Sequence, residues 1–82
     1  MADEESFREV AQAIGETLMV DPATITRATT ADDVNGWDSV THSMLVMEIE
    51  RRLGIQLPMD KVFDLADVGE LVDLVAAARS AG

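Results

Sequence analysis

Apolar residues recur at helical spacing in three stretches of the chain. In the first, Phe7, Val10, Ala11, Ile14 and Leu18 fall three and four residues apart, which places them on one face of a helix. Ser6 and Glu9 stand at the separation of a capping box, with a start nearer Asp3 as the alternative. Asp21-Pro22 predicts the stop, because a residue preceding proline is disfavoured in helical geometry. The second stretch begins at Asp38 or Ser39 and runs to Leu53. Asp38 is placed to accept from the free N–H groups at its start, and Gly54 to end it. A third opens with Asp67 and Glu70, again at capping-box separation. It carries Val68, Leu71, Val72, Val75 and Ala78 on its inner face and frays at Ser80-Ala81-Gly82. After Ile55 to Pro58, the segment Asp60 to Leu65 predicts a helix of one or two turns capped by Asp60.

Between the first two helices lies a Thr-rich connection through Ile25, Thr29, Thr30, Asp32 and Asp33 to Asn35-Gly36-Trp37. A structureless stretch of that length is unusual in a small domain unless it has a function. It predicts an ordered loop pinned by Ile25, Val34 and Trp37. No internal repeat or low-complexity stretch interrupts the pattern. The expectation is one all-α domain over residues 1–82, a four-helix bundle with three main helices, a short third helix and a long first loop.

Advancing about 100° per residue from Ser39 separates two apolar stripes on the second helix. Leu45, Val46, Ile49 and Leu53 make one broad face, the core side. Val40, Met44 and Met47 lie opposite, with Arg51 continuing their line. Either the short third helix, through Val62 and Phe63, covers this second stripe, or the stripe is a docking edge beside Ser39. Methionine would give such an edge an adaptable contact surface. Both hold if the cover is partial. Glu48 and Arg52 are spaced for an ordinary surface pair.

Composition narrows the functions. Aromatic residues are only 4% of 82, so Leu, Val, Ile, Met and Ala must build the core, which favours helices packed on helices. Sixteen acidic against six basic residues give a formal net charge of −10. Such a surface repels nucleic-acid backbones and anionic lipid and is drawn to proteins with basic docking patches. There is no cysteine, so any thiol chemistry must be imported on a cofactor, and thiolate metal sites are ruled out. The acidic start, Met1 to Glu5, is unlike a signal peptide, and no apolar run approaches a membrane span, so a cytoplasmic monomer is expected.

The segment Gly36-Trp37-Asp38-Ser39-Val40 resembles the attachment motif of the phosphopantetheine-binding acyl carrier proteins, an Asp-Ser followed by an aliphatic residue at the head of the second helix. The resemblance extends along almost the whole chain. It takes in the amphipathic first helix, the loop with Asp21-Pro22 and Ile25, Gly54-Ile55-Gln56-Leu57-Pro58, the short third helix, and a last helix beginning near Val68-Gly69.

That resemblance implies a 4′-phosphopantetheine arm on the Ser39 hydroxyl, installed from coenzyme A by a phosphopantetheinyl transferase working with Mg²⁺. It implies that Asp38 and Val40 belong to the motif the transferase reads. Val40, Met44, Met47 and Arg51 would then face partner enzymes that load or transfer the acyl group, of acyltransferase, ligase or ketosynthase type. At a helix N-terminus the phosphodiester is expected to meet unpaired N–H groups and the positive end of the dipole. On the same resemblance the arm's thiol would carry an acyl or aminoacyl thioester, and the protein is expected to be a carrier, not an enzyme.

Some positions depart from the fatty-acid carrier pattern. Val40 stands where Leu is usual, Met44 where an acid is common, and Arg51-Arg52 follow Glu48 and Glu50. With Trp37 before Asp38 and His42 after Ser39, the chain looks more like the freestanding carriers of dedicated polyketide, aminoacyl or other specialised pathways. A housekeeping fatty-acid carrier is the alternative. A small helical interaction module without a covalent cofactor is the alternative of another class. Met1 and the short tail favour a discrete bacterial carrier over a domain excised from a synthase.

Two features invite other readings. His42 lies near Ser39 and Asp38, but a triad also needs an orienting group and an oxyanion site, and the Gly-x-Ser-x-Gly elbow is absent. A packed or half-buried imidazole on the core side, near Ile49 and Leu53, is expected instead. A calcium loop with Gly36 as its turn glycine would put Ala31 and His42 where acids are required. No metal site is expected, and Trp37 reads as a loop anchor.

Overall fold

The apolar faces of the three long segments meet in one core. In the computed structural model, which describes residues 2–81, the helices are α1 (Ala2–Leu18), α2 (Ser39–Leu53), α3 (Met59–Val62) and α4 (Val68–Ala81). Two single 3-10 turns, Pro22–Thr24 and Ala31–Asp33, punctuate the first loop, and there is no strand among the described residues. α1 packs against both α2 and α4. The core comes from Val10, Ala13 and Ile14 of α1, Leu45, Val46 and Ile49 of α2, Val62 of α3, and Val68, Leu71, Val72 and Val75 of α4. This is the expected all-α bundle. Gly82, where fraying was expected to end, lies outside the described residues.

The start of α1 differs from the capping-box reading. The helix begins at Ala2, and Ser6 is fully buried within it. Its hydroxyl faces the Arg79 guanidinium of α4 at 3.3 Å, so a serine taken for a cap is instead a small polar contact between helices. The end of α1 also precedes Asp21-Pro22. Met19 adopts φ 60°, in the left-handed region, and the Val20 N–H donates to the Gly15 carbonyl at 3.1 Å, closing a Schellman turn. Gly15 cannot be enlarged there: a Cβ would sit 2.8 Å from the Val20 oxygen and 3.0 Å from Pro22 Cδ. Asp21 caps the following 3-10 turn, its carboxylate accepting from the Ala23 N–H at 2.9 Å.

The first loop is pinned as its apolar residues imply. Ile25 is buried, and Val34 and Trp37 are half-buried against the core. Its backbone does more. The Thr29 and Arg27 carbonyls accept from the Val68 and Gly69 N–H groups at 2.8 and 2.7 Å, so the loop caps α4. Asp67 Oδ1 accepts from the Glu70 N–H at 3.0 Å, while Glu70 reaches back to the Ala66 N–H, also at 3.0 Å. The Arg27 side chain ties the loop further along α4 by donating to Asp73 at 2.8 Å.

α3 is shorter than expected and starts earlier, at Met59. Pro58 occupies the cap position without a side-chain hydrogen bond, and Asp60 lies inside the first turn rather than capping it. Four residues cannot hold a helix by themselves. Buried Val62 anchors this one to the core.

Candidate functional site

Ser39 is the first residue of α2, and the residues around it explain why the helix begins there. Asp38 Oδ1 accepts from the Val40 and Thr41 N–H groups, both at 3.0 Å. The Thr41 hydroxyl accepts from the Asp38 N–H at 2.8 Å and donates to the Gly36 carbonyl at 2.7 Å. This reciprocal box fixes the junction between loop and helix. Asp38 was legible as the cap; the part taken by Thr41 was not. These hydrogen bonds, the Thr41 N–H first, hold the Asp38 carboxyl below the usual carboxylate range against a smaller opposing push from desolvation.

The Ser39 side chain is exposed and forms no hydrogen bond to another described residue. Its hydroxyl is therefore both accessible and unengaged. The expected setting for a phosphodiester needs one correction. Two of the N–H groups at the head of α2 are already held by the Asp38 carboxylate, which also offsets the positive end of the dipole. The N–H groups of Val40 and Thr41 are not free to receive a phosphate.

Beside Ser39 opens a cleft of about 300 Å³, at the lower end of the size range of small-molecule pockets. Trp37, Val62, Phe63, Leu65 and Leu71 give it an apolar wall, while Thr29, Asp38 and Asp67 add polar atoms. Thr29, Leu65 and Asp67 also line it and are not among the site residues that the sequence pattern marks. Thr29 reaches the cleft from the first loop, and Leu65 and Asp67 from the stretch between α3 and α4, a juxtaposition that no local pattern encodes.

His42 is half-buried, as expected, but its ring turns to the cleft rather than to Ile49 and Leu53. The Trp37 indole N–H donates to His42 Nδ1 at 3.0 Å, and His42 Nε2 bonds to the Val62 carbonyl. The Phe63 ring lies against the imidazole, with centroids 5.2 Å apart. Trp37 is thus the loop anchor foreseen. Neither residue hydrogen-bonds the Ser39 hydroxyl, and no triad forms.

The second apolar stripe of α2 is not covered by α3. Val40, Met44 and Met47 are 67%, 54% and 67% exposed, and Phe63 stands out to 51%. The reason is the short α3, which turns only Val62 inward. Arg51 is also exposed and bonds Glu48, with Nη2 to Oε2 at 2.8 Å. Arg52 departs from the expected surface pair with Glu48. Its side chain is only 20% exposed, and Nη2 meets Glu16 of α1 at 2.8 Å and Glu48 at 3.3 Å. The Arg52 guanidinium is therefore a tie between helices. The loop carboxylates of Asp32 and Asp33 are exposed, and Asp33 caps its own turn by accepting from the Thr30 N–H at 3.0 Å. Among the described residues no cluster of three or more His, Asp or Glu is placed to hold a metal, and no helix is long and apolar enough to cross a membrane.

Residues 8–75 match the phosphopantetheine attachment site family. The chain is 28% identical over 80 residues to an acyl carrier protein of Tropheryma whipplei (strain Twist), covering 98% of each. It is 32% identical over 80 residues to one of Lactobacillus johnsonii, covering 98% of this chain and all of that one. The fold superposes on a solution NMR structure of holo acyl carrier protein from Geobacter metallireducens. The TM-score is 0.83 at 26% identity, with 93% of this chain and 87% of that chain covered. These likenesses define a helical carrier domain whose cofactor is covalent 4′-phosphopantetheine. The chain belongs to the acyl carrier protein family, whose members are carriers rather than enzymes and work with biosynthetic enzymes.

Proposed function

We propose that Ser39 bears the phosphopantetheine arm. The observation that carries this reading is an exposed, unengaged hydroxyl at the first position of α2, beside a cleft able to receive what the arm carries. The arm supplies a thiol, and its thioester leaves the acyl carbonyl open to attack by nucleophiles on partner enzymes. The chain's own residues present that group. Asp38 and Thr41 fix the helix start, so that a transferase meets the hydroxyl in one geometry, and Asp38 and Val40 are the residues it reads.

Val40, Met44 and Met47 form the docking edge, with Arg51 at its end. Their exposure supports this role, since an apolar stripe facing water on a four-turn helix is costly unless a partner covers it. The same edge supports a dedicated pathway, polyketide or another specialised system. Its apolar residues and arginine suit partners that are not selected for an acidic helix. The housekeeping alternative predicts productive exchange with fatty-acid synthesis enzymes, and the two separate in a direct comparison of loading and elongation. The protein acts as a monomer, in the cytoplasm, with partner proteins rather than nucleic acid or lipid.

Intact-protein mass before and after incubation with coenzyme A, Mg²⁺ and a broad-specificity phosphopantetheinyl transferase tests the assignment. One phosphopantetheine addition, lost in Ser39→Ala with the helical fold intact, is expected. Addition that survives Ser39→Ala removes the site. No addition to a folded, unmodified chain returns the interaction-module reading.

A further inference from the structure

One wall of the cleft beside Ser39 is bonded to a single imidazole. α3 has four residues and no side-chain cap, so it needs support from outside itself. Beside the buried Val62 side chain, His42 adds a polar tie: the ring reaches from α2 to the Val62 carbonyl at the end of α3. Its other nitrogen is held from the loop by Trp37. An indole N–H can only donate and a carbonyl can only accept. The imidazole therefore accepts at Nδ1 and donates at Nε2, a neutral ring in one tautomer with both nitrogens used. The three segments so joined, loop, α2 and α3, are those that bring Trp37, Ser39, Val62 and Phe63 to the cleft. Two further rings lie against the imidazole, Trp37 with centroids 6.1 Å apart and 23° between planes, and Phe63 at 5.2 Å and tilted by 59°.

We propose that His42, held by Trp37, is a positioning residue that keeps α3 against α2 and so sets how well the cleft shelters the acyl group carried on the arm. This rests on the assignment of the arm to Ser39. A ring that satisfies both hydrogen bonds fixes the separation of the cleft walls. Losing it frees the Val62 carbonyl and lets α3, with Phe63, move outward. The effect falls on retention of an apolar group and not on installation of the arm, because neither His42 nor Trp37 hydrogen-bonds the Ser39 hydroxyl.

The test loads wild type, Trp37→Phe, His42→Leu and His42→Gln with acetyl- or hexanoyl-phosphopantetheine from the matching coenzyme A thioester. Thioester loss is then followed by intact mass. In that loss water adds to the carbonyl, the C–S bond breaks, and a free acid and the arm thiol result. Each rate is divided by that of the same coenzyme A thioester in solution. On the wild type, hexanoyl is lost roughly fourfold or more slowly than acetyl, the factor for one methylene taken out of water. Trp37→Phe keeps an aromatic ring without the donor and narrows that difference. His42→Leu abolishes it, and His42→Gln, which retains a donor for the Val62 carbonyl, restores part. All four accept the arm at similar rates, and the indole ¹⁵N–¹H signal of the wild type shifts in both His42 variants. Equal retention of the two groups by loaded wild type, or a difference unchanged in every variant, overturns the proposal alone. A wild-type chain that takes no arm overturns the carrier assignment and this inference with it.

Discussion

Asp38 and Thr41 hold each other at the head of α2, the aspartate accepting from the threonine N–H at 3.0 Å and the threonine hydroxyl accepting from the aspartate N–H at 2.8 Å. The residue between cap and box partner that begins the helix is Ser39, so the geometry of the proposed attachment site is set by hydrogen bonds on either side of it. The exchange also makes the site depend on charge.

Replacing Asp38 by Ala lowers the urea midpoint at neutral pH, because two N–H groups lose their acceptor. Asp38→Asn keeps an acceptor but loses the charge. The Asp38 carboxyl ionises below the usual carboxylate range in the folded chain. Its stabilising contribution is therefore complete above the ordinary carboxylate value and is lost as pH falls through the lower folded value. The difference in midpoint between wild type and Asp38→Asn is expected to shrink to nothing as urea titrations move from neutral to strongly acid pH. A difference that persisted there would show that the charge is not its source.

Arg52→Ala removes the tie between α2 and α1. Hydrogen bonding to Glu16 above all, then to Glu48, raises the guanidinium's affinity for its proton, against desolvation. The partners are partly in water, so the loss is about 1 kcal/mol, not the several of a fully buried pair. Arg52→Met, which keeps the packing of the stem, separates the apolar share of that loss from the ionic share. The ionic share falls as salt is raised in thermal or urea unfolding.

Met19→Gly should stabilise the protein. The left-handed conformation costs an ordinary residue roughly 1–2 kcal/mol, and glycine gives back part of this through its freer unfolded chain. The Met19 side chain is 87% exposed, so little packing is lost. A gain of about 0.5–1 kcal/mol is expected, read as a raised urea midpoint with unchanged slope.

Gly15→Ala should act in the opposite sense, although alanine is the better helix former. Its Cβ meets a backbone oxygen at 2.8 Å, and backbone cannot swing aside as a flexible side chain does. A net loss of about 1–2 kcal/mol follows from forcing the Val20–Pro22 turn outward, measured by calorimetry as a lower Tm.

The contrast between these two positions shows what was legible beforehand. Gly54, at φ 65°, ends α2 where a glycine after a periodic stretch marks it, whereas Met19 ends α1 in the same conformation and carries no such mark. The core faces were readable because helical periodicity is local, and Asp38 because a cap needs only its neighbours. Ser6 misled because serine and glutamate three apart is a weak signal, and burial against Arg79 is decided 73 residues away. The cleft beside Ser39 was hidden for the same reason. Its residues are brought together by packing, and the ring turned toward Val62 by His42 depends on where α3 comes to rest.

The backbone bonds between the first loop and the start of α4 join positions as far as 42 residues apart, and they carry a consequence for how the chain assembles. The opening turn of α4 lacks acceptors for its Val68 and Gly69 N–H groups until Thr29 and Arg27 arrive. That turn is completed only when a long circuit of chain has closed, at an entropic cost that contacts between near neighbours do not carry. The irregular segment before Ser39 is thus no slack connector. It supplies the backbone acceptors of the last helix, and each holds the other in place.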